Sequence, residues 1–371
     1  MKTFASLVEE VQKPGLCHLC GGCLTFCTAI NYGALEMGED GMPYLGDMEK
    51  CIECGLCYSI CPEIKELDDD IRKIADWSEP LGCIMETHVA RATEPEIRQN
   101  ATDGGVVTGL LLHLFEEGRI DGAIVTKPSG RFQREPWLAI TRDEIAASAG
   151  FYFDTSHGMK RFLNGYSIYT PPTQKLRSMV QQGLRKVALV GKPCQITAIR
   201  KIEALGVLPS DSIHYCLGLF CSGNFIFGPE QQEKLAEIGA FEWKNVKKMN
   251  VKETFLIHLK DGETKSIPLE RLDFMKRPAC RFCADYAAEF ADISCGGIGA
   301  PEGHTTVIIR TQTGRKLFTD ACDQTIELFK AKDNANLTAK VLKQIDAASS
   351  AKKRLAAKHR KGLVKSIGHQ A

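Results

Sequence analysis

The sequence predicts a mixed α/β (α+β) protein in which a small cysteine-rich domain precedes a larger α/β domain. Cysteine and glycine are dense in residues 1 to about 70, and the acidic run from Lys65 to Asp70 closes this region. From Ala101 onward, strand-like apolar runs alternate with helix-like stretches. The 371 residues are 44% hydrophobic and 25% charged, so the chain has enough apolar material for two or three domains.

The spacing of the cysteines in the first domain indicates iron–sulfur clusters. Cys17–Cys27 and Cys51–Cys61 both follow C-x2-C-x2-C-x3-C, which wraps three thiolates around one face of a cubane and sends the fourth to a second cluster. Structural zinc, the alternative, favours two C-x2-C pairs per ion. We therefore predict a bacterial-type two-[4Fe-4S] ferredoxin domain over residues 1–75.

The crossed pattern assigns a ligand set to each of these two clusters. Gly21, Gly22 and Gly55 suit loops that bring backbone N–H groups close to cluster sulfurs. Thr28 stands where bacterial ferredoxins usually have proline, and residues 31–50 lengthen the gap between the motifs, but neither change removes a ligand. The first thiol group is Cys17, Cys20, Cys23 and Cys61, and the second thiol group is Cys27, Cys51, Cys54 and Cys57.

Eight of the 16 cysteines lie outside this domain. On spacing alone, Cys194, Cys221 and the pair Cys280 and Cys283 can hold a third cluster, a zinc ion or a redox-active dithiol. The other four are predicted to be buried small hydrophobes or spare thiols: Cys83, Cys216, Cys295 and Cys322.

The second domain contains five distinctive stretches in this order: DGGVVTG (103–109), VALVGKPCQ (187–195), GLFCSGNF (218–225), CRFCAD (280–285) and EFADISCGGIGAPEG (289–303). Through these stretches it resembles the β subunits of coenzyme F420-reducing hydrogenase and their relatives, over about residues 92 to 330. The resemblance implies that Cys194, Cys221, Cys280 and Cys283, here called the third thiol group, hold a [4Fe-4S] cluster beside FAD. The ferredoxin domain is typical of longer relatives, such as the electron-input subunit of F420H2 dehydrogenase and F420-dependent sulfite reductase.

The resemblance also divides the rest of the chain. It implies a flavin- and F420-binding α/β domain whose first part covers residues 76–180 and whose second part, 181–345, carries the third cluster. Residues 346–371, with seven Lys and Arg residues and no acidic residue after Asp346, are predicted to form a basic helix or tail. A solvated surface helix is favoured there over a helix that docks a partner. Extra sequence at 152–172 distinguishes this chain from the short family form.

Iron–sulfur clusters carry one electron at a time, whereas a hydride carrier delivers two electrons. A flavin is expected, because it can convert between the two. A Gly-Gly pair that opens an apolar helix can face the flavin pyrophosphate, and an Asn-Phe pair and a second glycine-rich turn can contact a planar ligand. The resemblance favours this role for the Gly-Gly pair over a merely flexible helix entry, and turn chemistry and core packing are the alternatives for the other residues. The predicted cofactor-binding residues are Gly104, Gly105, Val106, Thr108, Asn224, Phe225, Gly297 and Gly299.

The sequence thus predicts a flavin-dependent F420 oxidoreductase subunit. Hydride would pass between F420 and FAD, and electrons would pass through [4Fe-4S] clusters to a redox partner protein in a larger complex. No catalytic residue is assigned, because direct hydride transfer needs no general base on the protein. The alternatives are an electron-transfer adaptor without a soluble substrate of its own, and a ferredoxin-dependent reductase of another organic substrate.

Other partners and locations follow from charge and hydropathy. The formal net charge of +1 gives no reason to expect nucleic acid. The glycines at 297 and 299 do not complete G-x-G-x-x-G, so a nicotinamide partner is unsupported. The N-terminus lacks a leader pattern and no apolar run approaches the roughly 20 residues that span a bilayer. We expect a cytoplasmic protein without a transmembrane segment, peripheral on a larger complex.

Overall fold

The computed structural model describes residues 2–30, 33–38, 41–130, 133–150, 185–206, 210–331 and 333–368, and the extra sequence at 152–172 lies outside them. The helices are α1 (Phe4–Leu7), α2 (Gly22–Ile30), α3 (Leu56–Ser59), α4 (Asp68–Ile74), α5 (Pro95–Asn100), α6 (Val106–Glu116), α7 (Arg142–Ala146), α8 (Pro193–Ala204), α9 (Pro229–Gly239), α10 (Gln312–Ala321) and α11 (Asn334–Gly368). The strands are β1 (Leu35–Met37), β2 (Pro43–Leu45), β3 (Glu86–Ala92), β4 (Gly122–Gly130), β5 (Gln133–Ala139), β6 (Val187–Gly191), β7 (Ile213–Leu219), β8 (Val246–Val251), β9 (Thr254–Leu259), β10 (Thr264–Pro268), β11 (Ile293–Gly296), β12 (Thr305–Ile309) and β13 (Ile326–Leu328).

The main sheet has the strand order β13-β3-β12-β11-β7-β6-β4-β5 among the described residues. Its centre is parallel, since β11 pairs with β7, β7 with β6, and β6 with β4. The flanking pairs are antiparallel. Because the carboxyl ends of parallel neighbours meet at one edge, the segments that follow β6, β7 and β11 lie together there.

Both faces of this sheet are covered. Neighbouring residues of a strand point to opposite faces. Accordingly, Ala188 packs in one apolar core with helices α6 and α10, while Leu189 packs in a second core with helix α8. Strands buried on both faces are continuous apolar runs, as β6 is, and β7 is buried in the same way from Tyr215 to Gly218.

The N-terminal region repeats one local structure. In each C-x2-C loop the residue before the second cysteine has a positive φ, 52° at Leu19 and 53° at Glu53. The residue after that cysteine is a glycine with φ of 79° at Gly21 and 76° at Gly55, values that glycine adopts without strain. Helices α2 and α3 begin directly afterwards, and the hairpin β1–β2 lies between the two motifs.

The N-terminal region packs directly on the outer face of helix α8. Phe26 and Ile60 are buried in the same core as Ile196. The contact is so close that a Cβ at Gly22 would lie 2.7 Å from the Cβ of Ala198. The predicted division at residue 75 stays a prediction, but the described residues on its two sides share one core.

The C-terminal helix α11 is longer than the predicted basic segment, because it begins at Asn334. Val341, Ile345, Ser349 and Ala356 are buried along one side of it, at the spacing of a helical stripe. The expectation of a solvated surface helix is therefore wrong for this face. The apolar residues that precede the basic run dock the helix, and several of the basic side chains then reach buried acceptors.

Candidate iron–sulfur and flavin site

The first and second thiol groups each surround a small cavity. All four cysteines of the first thiol group line one cavity, and all four of the second thiol group line the other. Cys61 therefore lies with the first motif and Cys27 with the second, as crossed ligation requires. Their role as ligands stays a prediction.

The buried thiols of these groups make poor thiolates without a metal. Burial raises the pKa of Cys57 and Cys61 to about 12, and neighbouring cysteines add to the effect. Cys23 has its pKa raised well above the ordinary value for the same reasons. A bound metal centre removes this penalty, because coordination deprotonates a thiol outright.

Four cysteines line each of these two cavities, which is the number of thiolates that a cubane cluster takes. Among the described residues, no three His, Cys, Asp or Glu side chains are placed to hold one metal ion. A zinc ion binds each cysteine sulfur at a Zn–S distance of about 2.3 Å. A cubane instead holds one thiolate at each of four iron corners, so its ligands stand farther apart around a central volume.

The third thiol group comes together from three parts of the chain. Cys194 lies in the first turn of α8, directly after β6, and Cys221 follows the neighbouring strand β7. Cys280 lies in the short helical turn before β11, and Cys283 follows that turn. Cys194 and Cys221 both interact electrostatically with Cys283, and Cys221 also with Cys280. The structure thus brings the four predicted ligands to one place.

Helix α11 reaches the third thiol group through Lys352, which the sequence analysis did not identify. The Lys352 ammonium donates to the carbonyl oxygens of Cys221 at 2.5 Å and Asp285 at 2.7 Å. Burial alone would lower its pKa, but Cys283 and the neighbouring acidic groups raise it above the ordinary value. A fixed positive charge therefore stands beside the thiols.

His18, also missed by the sequence analysis, connects the first and third thiol groups. Its Nε2 lies 2.6 Å from Oε1 of Glu63, and the two side chains are 5% and 4% exposed. The same ring interacts electrostatically with the thiol of Cys280. Burial would raise the pKa of the Cys280 thiol, but the interaction with His18 more than offsets this and lowers it to about 7. This thiol is thus prepared for deprotonation.

A larger cavity, of about 280 Å³, lies at the carboxyl edge of the parallel strands, where α/β proteins commonly bind ligands. Two predicted binding residues do not line it. The N–H of Gly104 donates to Oγ1 of Thr305 at 2.9 Å, and Gly299 packs against Val341 of α11. Six predicted binding residues do line it, and their role stays a prediction: Gly105, Val106, Thr108, Asn224, Phe225 and Gly297.

The lining of the cavity fits a polar, planar, anionic cofactor such as FAD. Helix α6 opens into it from Gly105, which has φ of 77°, so first-turn N–H groups face the cavity. Nδ2 of Asn224 and Oδ1 of Asn250 are buried without a hydrogen-bond partner in the described part of the chain. Nδ2 of Asn250 donates to Asp103, whose pKa burial raises. Donors and an acceptor are therefore left for a ligand.

Comparison with known proteins decides the family. Residues 184–334 and 87–162 match the C-terminal and N-terminal models of the coenzyme F420 hydrogenase/dehydrogenase beta subunit, and residues 9–62 match a 4Fe-4S dicluster domain. The beta subunit of coenzyme F420 hydrogenase from Methanothermobacter thermautotrophicus is 33% identical over 291 residues, covering 76% of this chain and 98% of that protein. The chain belongs to the coenzyme F420 hydrogenase/dehydrogenase beta subunit family.

Two further similarities describe this family member. A coenzyme F420-dependent sulfite reductase from Methanocaldococcus jannaschii is 29% identical over 326 residues, which cover 84% of this chain and 46% of the reductase. A chain of the F420-reducing NiFe hydrogenase complex from Methanosarcina barkeri superposes with a TM-score of 0.62 at 27% identity, covering 77% of this chain and 94% of that chain. The predicted family, fold class and N-terminal dicluster domain are confirmed.

The relatives include subunits of F420 hydrogenase complexes and an F420-dependent sulfite reductase, so the chain belongs to a family of oxidoreductase subunits, and its N-terminal region matches a 4Fe-4S dicluster domain. Among its described helices, none has the length and apolarity to cross a membrane.

Proposed function

We propose that this beta-subunit relative is a flavin-dependent F420 oxidoreductase subunit that exchanges hydride between F420 and FAD and passes electrons through three [4Fe-4S] clusters to a partner protein. The observation that carries the proposal is the position of Cys221. It lines the large cavity and also belongs to the third thiol group. A bound FAD supplies the conversion between the two-electron and one-electron chemistry.

The cavity residues bind and orient the cofactor in this proposal. The N-terminus of α6, at Gly105 and Val106, binds the pyrophosphate through backbone N–H groups and the helix dipole. Asn224 and Asn250 supply the unpartnered donor and acceptor. The thiol of Cys295, whose pKa burial raises to about 12, adds an uncharged apolar wall.

The contacts between thiol groups support one order of electron transfer. Cys194 of the third group interacts electrostatically with Cys20 of the first, and Cys23 of the first group with Cys57 of the second. Electrons would therefore pass between flavin, third, first and second clusters. Beside Cys51 of the second group, Ile52 is an exposed apolar side chain, which suits contact with a redox partner.

Anaerobic mixing of the FAD-loaded, cluster-loaded chain with reduced F420 and a viologen dye tests the proposal. Bleaching of the flavin absorbance and reduction of the dye are expected. A chain that holds FAD and full iron but shows no bleaching contradicts the proposal. That result would favour a flavin that relays electrons between two proteins.

A further inference from the structure

Of the two N-terminal thiol groups, the second lies nearer the protein surface. Lys50, Ile52 and Glu53 line its cavity and are exposed. The residues that line the cavity of the first thiol group, in the described part of the chain, are all buried or half-buried. Because electron transfer slows steeply with distance, the surface at residues 50–53 gives this pair of predicted clusters its shorter route to another protein.

Large apolar side chains are exposed on the same surface. Met48 is 77% exposed and Ile52 is 56% exposed, and one turn carries both, since the N–H of Cys51 donates to the carbonyl oxygen of Met48 at 3.2 Å. Tyr44, at 46% exposed, precedes this turn and donates through its hydroxyl to Oε2 of Glu36 at 2.8 Å. Single exposed apolar side chains are ordinary, whereas a group of them within a few residues is typical of a surface that binds a protein.

Carboxylates lie beside these apolar side chains. Glu36, Glu49 and Glu53 are exposed. Glu49 and Glu53 form no ion pair within the described part of the chain, whereas Lys50 is paired with Asp47 at 2.9 Å. The sign of the charge holds for the wider region, because residues 1–75 contain 13 Asp and Glu but six Lys and Arg, in a chain of net charge +1. The surface therefore attracts a basic partner and repels an acidic one.

We propose that Glu36, Tyr44 and residues 47–53, here called the docking face, bind a one-electron redox protein whose redox centre lies in an apolar patch with a basic rim. This inference rests on the proposed function, whose partner protein it describes. Protein interfaces commonly have an apolar centre and a polar rim, and rim charges act mainly on the association rate. Each molecule of reduced F420 gives up two electrons and two protons. The second cluster passes the electrons singly to two acceptor proteins, and the protons go to water.

Reduction of cytochrome c, a small basic haem protein that takes one electron, tests the docking face. The full-length chain, loaded with FAD and clusters, is mixed anaerobically with reduced F420 and oxidised cytochrome c, and the haem absorbance gives kcat/KM for cytochrome c. We expect Glu49→Lys to lower this kcat/KM roughly three- to tenfold at about 0.01 M salt. At about 1 M salt it should have little effect, because the screening length falls from about 30 Å to about 3 Å.

Glu237→Lys is the matched control. Glu237 is exposed on α9, whose buried Leu235 packs in one core with Phe255 of β9 and Ile267 of β10. This substitution changes the net charge equally and should leave the reduction of cytochrome c unchanged. An equal fall in both variants overturns the docking face, because the effect would then come from net charge alone.

A second acceptor of opposite charge separates docking from damage. An acidic rubredoxin also takes one electron, and Glu49→Lys should raise its kcat/KM at low salt, because a repulsive charge becomes attractive. A fall with both acceptors at full iron content overturns the assignment. If Glu49→Lys loses iron, Glu49→Gln takes its place. It removes one charge instead of reversing it, so the same two changes are expected at a smaller size.

Met48→Ala tests the apolar centre of the docking face. We expect kcat/KM to fall roughly two- to fivefold for both acceptors and at both salt concentrations, because an apolar contact is not screened by salt. Leu355→Ala, at an apolar side chain that is 50% exposed on α11, should leave both rates unchanged. An unchanged rate in Met48→Ala, or an equal fall in Leu355→Ala, overturns the assignment.

Failure of the proposed function is separate from failure of the docking face. It would show in the unchanged chain as absent reduction of the viologen dye by reduced F420. Clusters reduced directly with dithionite would then still donate to cytochrome c, so the same variants test the docking face without the flavin step.

Discussion

At the scale of single residues, Cys221 connects the large cavity with the third thiol group. Its N–H donates to the carbonyl oxygen of Tyr286 at 2.8 Å, and its own carbonyl accepts from Lys352. The backbone on both sides of the thiol is therefore held in place while the side chain borders the cavity. Such fixation of a ligand by surrounding hydrogen bonds is typical of metal sites that must keep one geometry during a reaction.

Cys283→Ala tests whether the third thiol group holds a cluster. We expect a loss of about four of roughly twelve irons and of electron flow from the flavin to the first and second clusters. Hydride exchange between F420 and FAD should survive, because that step needs no iron. Iron analysis and separate assays of flavin bleaching and dye reduction measure the three quantities.

Cys322→Ala is the control for this substitution. Cys322 is a half-buried free cysteine after α10, outside the three thiol groups and the cavity lining. The iron content of the Cys322→Ala variant should match that of the unchanged chain. If Cys283→Ala keeps full iron and full dye reduction, the third-cluster assignment is wrong. The C-x2-C pair then has a structural or dithiol role.

Lys252 is a candidate for binding the anionic tail of F420. It follows β8, whose residues Asn250 and Val251 line the cavity, and its charge acts on the buried carboxyl of Asp103. We expect Lys252→Glu to raise the KM for F420 roughly two- to fivefold, the range of a partly exposed ion pair, with little change in kcat. Lys247→Glu changes the net charge equally from an exposed position on the same strand. An equal rise in KM in both variants would exclude a specific role for Lys252.

At the scale of elements, the parts predicted well from sequence were the local ones. The first three cysteines of each motif are closely spaced, because they must reach the same cluster, and the fourth follows at the spacing that takes it to the other cluster. The family resemblance favoured Cys194 and Cys221 as ligands of one cluster. The parallel pairing of β6 and β7 explains why these two cysteines, which follow the two strands, lie at the same edge of the sheet. Lys352 could not be predicted, because its acceptors are backbone carbonyls distant in sequence and carry no residue signature.

Helix α11 shows why composition alone predicts the burial of a helix poorly. Its basic residues indicated a solvated helix, but burial depends on the apolar residues one face places against the sheet domain. Ile345 is 0% exposed and packs with Leu81, Val89 and Ile308. The helix is thus part of the core at one end and of the predicted cluster site further along.

Ile345→Ala should therefore destabilise the protein although Ile345 is not itself a predicted ligand or cofactor-binding residue. Truncation of a fully buried isoleucine costs about 2–5 kcal/mol of unfolding free energy. Leu355→Ala, on the same helix at a side chain that is 50% exposed, should stay within about 0.5 kcal/mol. Denaturant unfolding of both variants measures the difference, and equal midpoints would contradict the docking of α11.

At the scale of the whole molecule, the N-terminal cluster region and the sheet domain behave as one packed body. The sequence predicts a separate cysteine-rich domain, because cysteine and glycine are dense up to about residue 70 and the apolar pattern changes after the acidic run. The structure gives this region a core of its own around Phe4, Leu7 and Leu24, and Phe26 and Ile60 also pack in the core of α8. Sequence periodicity shows which side chains are buried, but it does not show which partner buries them.

Lys201 is the polar centre of this contact. It lies on α8 with its side chain 0% exposed, pairs with Asp68 at 2.7 Å and donates to the carbonyl oxygens of Cys61 and Ile64. A buried ammonium is tolerated only when it is paired and hydrogen-bonded, and all three partners belong to the N-terminal region. The lysine therefore holds the segment that carries Cys61, the crossed ligand of the first thiol group.

Lys201→Met should loosen the N-terminal region without touching a cysteine. Methionine keeps most of the volume but leaves Asp68, which is 26% exposed, and two carbonyl oxygens without their donor, and a buried acceptor left unsatisfied costs about 1–3 kcal/mol. We expect faster hydrogen exchange in residues 9–62 and faster proteolysis between the two regions, while exchange in β6 and β7 stays slow. Lys244→Met is the control, because that side chain is 74% exposed and pairs only with Glu242 in the described part of the chain. If exchange in residues 9–62 is the same in both variants, Lys201 does not hold the two regions together, and the shared apolar core alone must couple the clusters to the flavin cavity.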